Sequence, residues 1–221
     1  MTGLDVAPIR DLARLHVLDK VIAGLLPSGK IISPVDLASD LGVSPTPVRE
    51  AFIELVRDGF LENIPRRGFA VRRLAAKEAA ELYPIGWTLE GLAIRSTPPK
   101  QATLDRLDAI NAKMAEAQAP LEIHRLDCEW HDTVVSDYSG DTLRELLSIV
   151  RNRLRRYEAA YFRHGGTVPA SVDQHAAIAR FLRRGEVAPA LEALRANWMI
   201  GLPLLSAWLD SRESDQDPGS A

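Results

Sequence analysis

The stretch that decides the fold is LASDLGVSPTPVREAFIELVRDGFLENIPRRGFAV, Leu37–Val71. Its pattern passes from helical spacing to short β-prone runs within a few residues. Pro34 to Leu41 predicts a short helix, with Ser33 as N-cap and Pro34 at the first helical position, where a missing N–H costs nothing. Gly42 then breaks the chain. Pro45 to Asp58 predicts a second helix, with Ser44 as cap and Gly59 closing it. Phe60–Ile64 and Phe69–Val71 predict two short strands, and Pro65-Arg66-Arg67-Gly68 lies where a hairpin tip belongs. Two short helices and a two-stranded wing form a winged helix-turn-helix, which reads duplex DNA by the N-terminal end of its second helix.

The residue types at that end suit the task. Ser44 and Thr46 offer hydroxyls, and Arg49 adds a cation one turn on. Free N–H groups at a helix start also favour phosphate. Val48, Phe52 and Leu55 or Val56 fall on the opposite face and are expected to pack inward. Just upstream, Ile9 to Leu26 carries apolar residues at helical spacing (Leu12, Leu15, Leu18, Ile22, Leu25), ended by Pro27-Ser28-Gly29. Formal net charge over the 221 residues is −3, which argues against a general nucleic-acid coat. Ile64–Arg73, however, holds Arg66, Arg67, Arg72 and Arg73 with no acid, the local basic stripe that phosphate contact needs.

Downstream, from about Lys77 to Leu209, the pattern is helical almost throughout. Breaks at Thr97-Pro98-Pro99, Pro120, Ser139-Gly140, Gly165-Gly166 and Gly185 predict about six helices. The fold class expected is therefore mainly α: a winged helix-turn-helix over 1–75, an all-helical bundle over 76–210 and a disordered tail over 211–221. A single cysteine, Cys128, rules out an intrachain disulfide. No apolar run reaches membrane-spanning length and the N-terminus lacks signal-peptide order, so a cytoplasmic protein is expected.

The string GVSPTPVREA (Gly42–Ala51), followed at the usual distance by RRGFAV (Arg66–Val71), resembles the GntR family of bacterial regulators. The resemblance implies DNA contacts from Ser44, Thr46, Arg49, Arg66 and Gly68. Arg49 would pair with phosphate or a guanine edge, and Gly68 would let the wing tip approach the minor groove. This chain departs from the pattern at Val35 and Pro45, where the family commonly has Arg.

The helical region resembles the FCD effector domain of the FadR subgroup. LEGLA (Leu89–Ala93), DCEWH (Asp127–His131), SGDTLRELL (Ser139–Leu147) and QHAAIARFLRRGEVAPALEALRANW (Gln174–Trp198) carry the match. Asp127 and His131 are four apart, so on a helix they share a face and can grip one divalent cation. His175 can add a third ligand from another helix. The family commonly supplies a further His where this chain has Asn197, an oxygen donor weaker than imidazole. Zinc or nickel suits the set. His124 shares the helical stripe of Asp127 and His131. It can replace the missing ligand, act behind it, or simply sit on the helix surface. Cys128 falls off the Asp127/His131 face and reads as a small buried apolar residue.

Arg151 and Arg155, four apart, can anchor an effector carboxylate, or else form a charged outer face. Trp87, Trp130, Tyr157, Tyr161 and Trp198 can line a pocket or build core. Gly86, one turn before Glu90, stands where the family often has Arg.

The function expected is a DNA-binding transcriptional regulator, a repressor under the control of a small organic acid. It would act as a homodimer on an inverted-repeat operator, with no membrane partner. The helix after the wing, Lys77–Arg95, is expected to couple effector to DNA. Two other classes fit parts of the sequence. A metal-dependent enzyme would use the His and Asp donors, but HExxH, a phosphate cradle and a convincing Ser or Cys nucleophile are all missing. An architectural DNA-binding protein would need no effector.

Overall fold

The computed structural model describes residues 8–165 and 171–216, with side chains as far as Ser211 at the C-terminal end. The chain divides into two compact units, Met1–Leu74 and Ala75–Ala221.

In the first unit α1 (Ile9–Ile22) and α2 (Pro34–Leu41) both pack on α3 (Pro45–Arg57). Ser33 caps α2 by accepting a hydrogen bond from the Asp36 N–H at 3.2 Å, and Gly42 ends it in the left-handed conformation at φ 67°. The apolar face of α3, Val48, Ala51, Phe52 and Leu55, is fully buried against Val17, Phe60 and Phe69. Burying each of Val48, Phe52 and Leu55 contributes about 1.5–3 kcal/mol. Phe52 and Phe69 meet edge to face, centroids 5.2 Å apart. Arg14 of α1 donates to the buried Asp58 carboxylate at 2.7 Å and ties α1 to the end of α3.

The wing has three strands. β2 (Leu61–Ile64) and β3 (Gly68–Val71) form the hairpin. β1 (Ile31–Ile32), which the sequence reading did not predict, pairs antiparallel with β3, Ile31 opposite Ala70. The reading of α1 needs correction as well. Its core face is Ala13, Val17, Leu18 and Val21, whereas Leu12, Leu15 and Leu25 of the expected stripe are about half exposed or more. Two apolar stripes run along this helix, and periodicity alone does not choose between them.

The second unit contains α4 (Ala76–Ser96), α5 (Gln101–Glu116), α6 (Pro120–Val134), α7 (Asp141–Arg163), α8 (Ser171–Arg183), α9 (Val187–Ile200) and α10 (Leu202–Gln216). α4 packs on α7, α9 and α10, α5 lies against α6 and α8, and α6 rests on α7. Among the described residues this is one helix more than expected, because Gly201 and Pro203 split the last predicted helix in two. α10 runs through residues 211–216, part of the segment expected to lack structure, and residues 217–221 lie outside the described residues. α7 ends at Arg163 near Gly165, at φ 83°, while Gly166 lies outside the described residues. No helix among the described residues is long and apolar enough to cross a membrane.

Candidate nucleic-acid interface and metal centre

The N-terminal end of α3 is built to face outward. Ser44 sits at the N-cap position, but its side chain makes no capping hydrogen bond, in contrast to Ser33. Pro45 and Pro47 fill the first turn and remove two N–H donors. Ser44, Thr46 and Arg49 are all exposed, and Arg49 has no ion pair among the described residues. At the wing tip Arg66 and Arg67 are exposed and Gly68 adopts φ 95°. Arg66 itself has φ 65°, the one non-glycine residue with positive φ among those described. An L-residue there costs roughly 1–2 kcal/mol, so this backbone position retains a cation at the expense of local strain.

In the helical unit α6 lays one stripe, His124, Asp127, Cys128 and His131, along a cavity. The cavity offers about 80 Å³ to the centres of water molecules, several times the ~10–15 Å³ that one needs. α7 contributes Arg151, Arg155 and Glu158 to its wall, and α9 contributes Asn197 and Trp198.

The structure brings Asp127, His131 and His175 together, with one donor atom from each lying within 4.8 Å of the others. His175 Nε2 stands 3.6 Å from Asp127 Oδ1. Donors sharing one cation at bonds of about 2.0–2.2 Å stand roughly 3–3.5 Å apart. His175 is fully buried, and among the described residues neither ring nitrogen makes a well-formed hydrogen bond, although Asp127 and Asn197 lie close to the ring. Its ring stacks on Trp130, centroids 3.9 Å apart and planes 1° from parallel. A buried imidazole whose nitrogens lack a well-formed hydrogen bond has unmet capacity that a cation would fill, so these residues fit the expected metal.

Glu90 completes this centre, and the sequence reading gave it no role. It is fully buried on α4, and its Oε1 lies 2.8 Å from His131 Nδ1. That contact places the proton on Nδ1 and leaves Nε2 as the donor, the carboxylate support that metal-binding histidines use. Burial presses the His131 pKa down, but the charge and hydrogen bond of Glu90 prevail and raise it. Burial pushes the His175 pKa well down, with the field of His131 adding to it. Burial lifts the Asp127 carboxyl against the pull of His131. The expected fourth ligand, Asn197, lines the cavity and donates to Gln174 Oε1 at 3.0 Å.

The outer-face reading of Arg151 is corrected. This guanidinium is 7% exposed and donates to Asp132, Glu90 and the His131 carbonyl. Arg155 pairs with the same Asp132 carboxylate. Both arginines reach the cavity wall with charge already met. His124 is likewise not a surface residue. It is buried, stacks on Phe162 and belongs with Cys128 and Glu158 rather than with the Asp127 set. Cys128 is half-buried on the cavity wall, and burial pushes its thiol pKa up. Among the aromatics, Tyr161 and Trp198 line the cavity, Trp130 and Tyr157 are core, and Trp87 lies under Arg195.

A winged helix with an outward recognition helix, joined in one chain to a helical unit that holds a cavity, defines the class of DNA-binding transcriptional regulators. Two family profiles match, "Bacterial regulatory proteins, gntR family" over residues 12–71 and "FCD domain" over residues 81–198. The chain belongs to the GntR family, in the group that carries an FCD domain. These are domains of regulators, not of enzymes. The chain is 43% identical over 82 residues to a protein of Paenarthrobacter nicotinovorans named probable D-xylose utilization operon transcriptional repressor, covering 37% of this chain and 36% of that one. It is 30% identical over 139 residues to the uncharacterized regulator YdhC of Bacillus subtilis, covering 60% and 62%. The matches thus span less than two thirds of these relatives. Among solved structures, E. coli McbR/YncC superposes with a TM-score of 0.77 at 18% identity, covering 92% of this chain and 99% of that one, a likeness of fold.

Proposed function

We propose that this chain is a cytoplasmic transcriptional repressor that binds an inverted-repeat operator as a homodimer and is released by a small organic acid. The observation that carries the effector half is the Asp127, His131 and His175 cluster beside a cavity walled by Arg151 and Arg155. Zinc or nickel suits the donors, with Asn197 or water completing the shell. When bound, the cation supplies a Lewis-acidic point that a carboxylate oxygen of the effector can complete. Glu90 orients His131, Trp130 holds the plane of His175, and the two arginines meet the rest of the anion.

The DNA half rests on Ser44, Thr46 and Arg49 at the exposed start of α3, with Arg66 and Gly68 at the wing. The relative named as an operon repressor supports repression. The helix after the wing would carry the coupling, and the effector must then favour one state of the dimer over the other, with DNA changing effector affinity by the same factor.

The test is operator titration at fixed salt, with and without organic acids selected by thermal shift. Arg49→Ala should weaken operator binding by at least ~1 kcal/mol. A stabilising acid should weaken it 5- to 150-fold, the usual range of ~1–3 kcal/mol. Unchanged affinity in Arg49→Ala would sink the docking assignment. An acid that stabilises the protein yet leaves operator affinity unchanged would leave a DNA-binding protein without a switch.

A further inference from the structure

The cavity holds a second group of donors that the reading above does not use. Cys128 Sγ lies 3.7 Å from Nδ1 and 3.8 Å from Nε2 of His124. His124 Nδ1 lies 3.8 Å from Glu158 Oε2. One donor atom from each of the three residues falls within 4.8 Å of the others. Around a tetrahedral ion with bonds of about 2.3 Å to sulfur and 2.0–2.2 Å to nitrogen and oxygen, donors stand roughly 3.3–3.7 Å apart. The Cys128–His124 and His124–Glu158 separations are within a few tenths of an ångström of that.

The parts are also aimed. His124 and Cys128 are four apart on α6 and share a face, and Glu158 reaches them from α7. The Tyr83 hydroxyl donates to Glu158 Oε1 at 3.0 Å, which leaves Oε2 toward His124. Phe162 stacks on the His124 ring at 5.2 Å. Arg155 also faces the sulfur, its charge met by Asp132.

We infer that His124, Cys128 and Glu158 form a second cation site in the helical unit, for a thiophilic divalent cation of the zinc type. Sulfur and imidazole exclude the oxygen-seeking magnesium and calcium. All three residues line the cavity, so a fourth coordination position opens onto it, as in sites that exchange a ligand. On binding, the thiol proton passes to solvent and the thiolate bonds the cation. The site shares no residue with the Asp127 cluster and does not depend on that cluster being filled.

Cobalt(II) is the probe, because a thiolate ligand gives it an intense near-ultraviolet charge-transfer band. Cys128 is the only cysteine, so within the chain the band has one source. Full-length, reduced, metal-stripped protein is titrated, with folding of each variant checked by circular dichroism. The wild type should take up two equivalents, of which one carries the band, and His175→Ala should reach the same band intensity with one equivalent. Cys128→Ser should lose the band. Tyr83→Phe, which removes only the hydroxyl that aims Glu158, should weaken binding of the equivalent that carries the band about tenfold or more. A wild type that takes up cobalt without the band overturns the second site while leaving the first intact. A band with full affinity in both Tyr83→Phe and Glu158→Gln overturns the assignment of the carboxylate. A wild type that takes up no cobalt overturns both sites.

Discussion

The indole of Trp198 lies directly over the backbone of Gly86, so that a Cβ on Gly86 would fall 2.4 Å from Cζ3 of the ring. The ring also meets His131, at 5.3 Å, and Tyr83, at 6.2 Å. Gly86 is the position at which this chain departs from the family's frequent Arg, and the indole occupies the space which that side chain would need. Gly86→Ala should therefore destabilise the protein by about 1–3 kcal/mol, the usual cost of overpacking, and shift tryptophan emission. Urea denaturation followed by fluorescence reads both. Unchanged stability would mean the indole has room to retreat.

At the wing, stability and function should move in opposite directions. Arg66→Gly relieves a left-handed L-residue at φ 65°. Relief of strain is set against the added freedom of glycine in the unfolded chain, so stability should hold or rise by up to about 1 kcal/mol. Operator affinity should fall, and its salt slope should become shallower by about one. A loss of stability in Arg66→Gly would show that the side chain is needed for the fold of the hairpin.

His175 and His131 give a pH profile with a definite sign. His175 is held neutral when folded, its pKa well below the ordinary value through burial and then His131. Below about pH 6.5 the unfolded chain binds a proton there that the folded chain refuses, so stability falls with pH. His131 is raised by Glu90 in spite of burial, so its contribution is complete below about pH 6.5 and is lost as pH rises through its folded value. Metal-free protein should thus lose up to about 1.4 kcal/mol per pH unit on acidification below about 6.5 through His175 alone. His175→Gln should flatten that limb. Chemical denaturation at several pH values decides it, and an equally steep limb in the variant would place the source elsewhere.

Asp132 bridges Arg151 and Arg155 from a side chain that is 51% exposed. An incoming carboxylate would meet cations already paired with it. Asp132→Asn should free that capacity and tighten binding of an organic acid about fivefold, or roughly 1 kcal/mol, the upper end for an exposed pair. Calorimetry with the strongest acid from the thermal-shift screen measures this. Weaker binding in Asp132→Asn would mean that the bridge holds the arginines in place for the ligand.

What the sequence made legible was local. The two short helices, the wing and its basic tip follow from residues a few positions apart, each with its own cap, proline or glycine. The pairing of Asp127 with His131 follows from helical spacing, and family resemblance added His175. The structure supplies what sequence distance hides. Glu90 supports His131 from 41 residues away, and Tyr83 aims Glu158 across 75. A buried glutamate inside LEGLA was the visible signal for the first, since an unpaired carboxylate in an apolar helix needs a partner. No signal marked the second. The two-residue β1 was too short to show a period of its own.

The stripe on α6 carries a consequence for how this lineage can vary. His124 with Cys128, and Asp127 with His131, are two interleaved pairs on the same two turns of helix. Each residue gained or lost rotates everything beyond it by about 100°. A single deletion between Arg125 and Trp130 would break up at least one of the two donor pairs, whatever it did to the core. Point substitutions there can be tried one at a time, but a change of length cannot be. Insertions and deletions among relatives that keep both donor sets should therefore collect in the connections around α6 and spare His124–His131, a pattern that a family alignment can check directly.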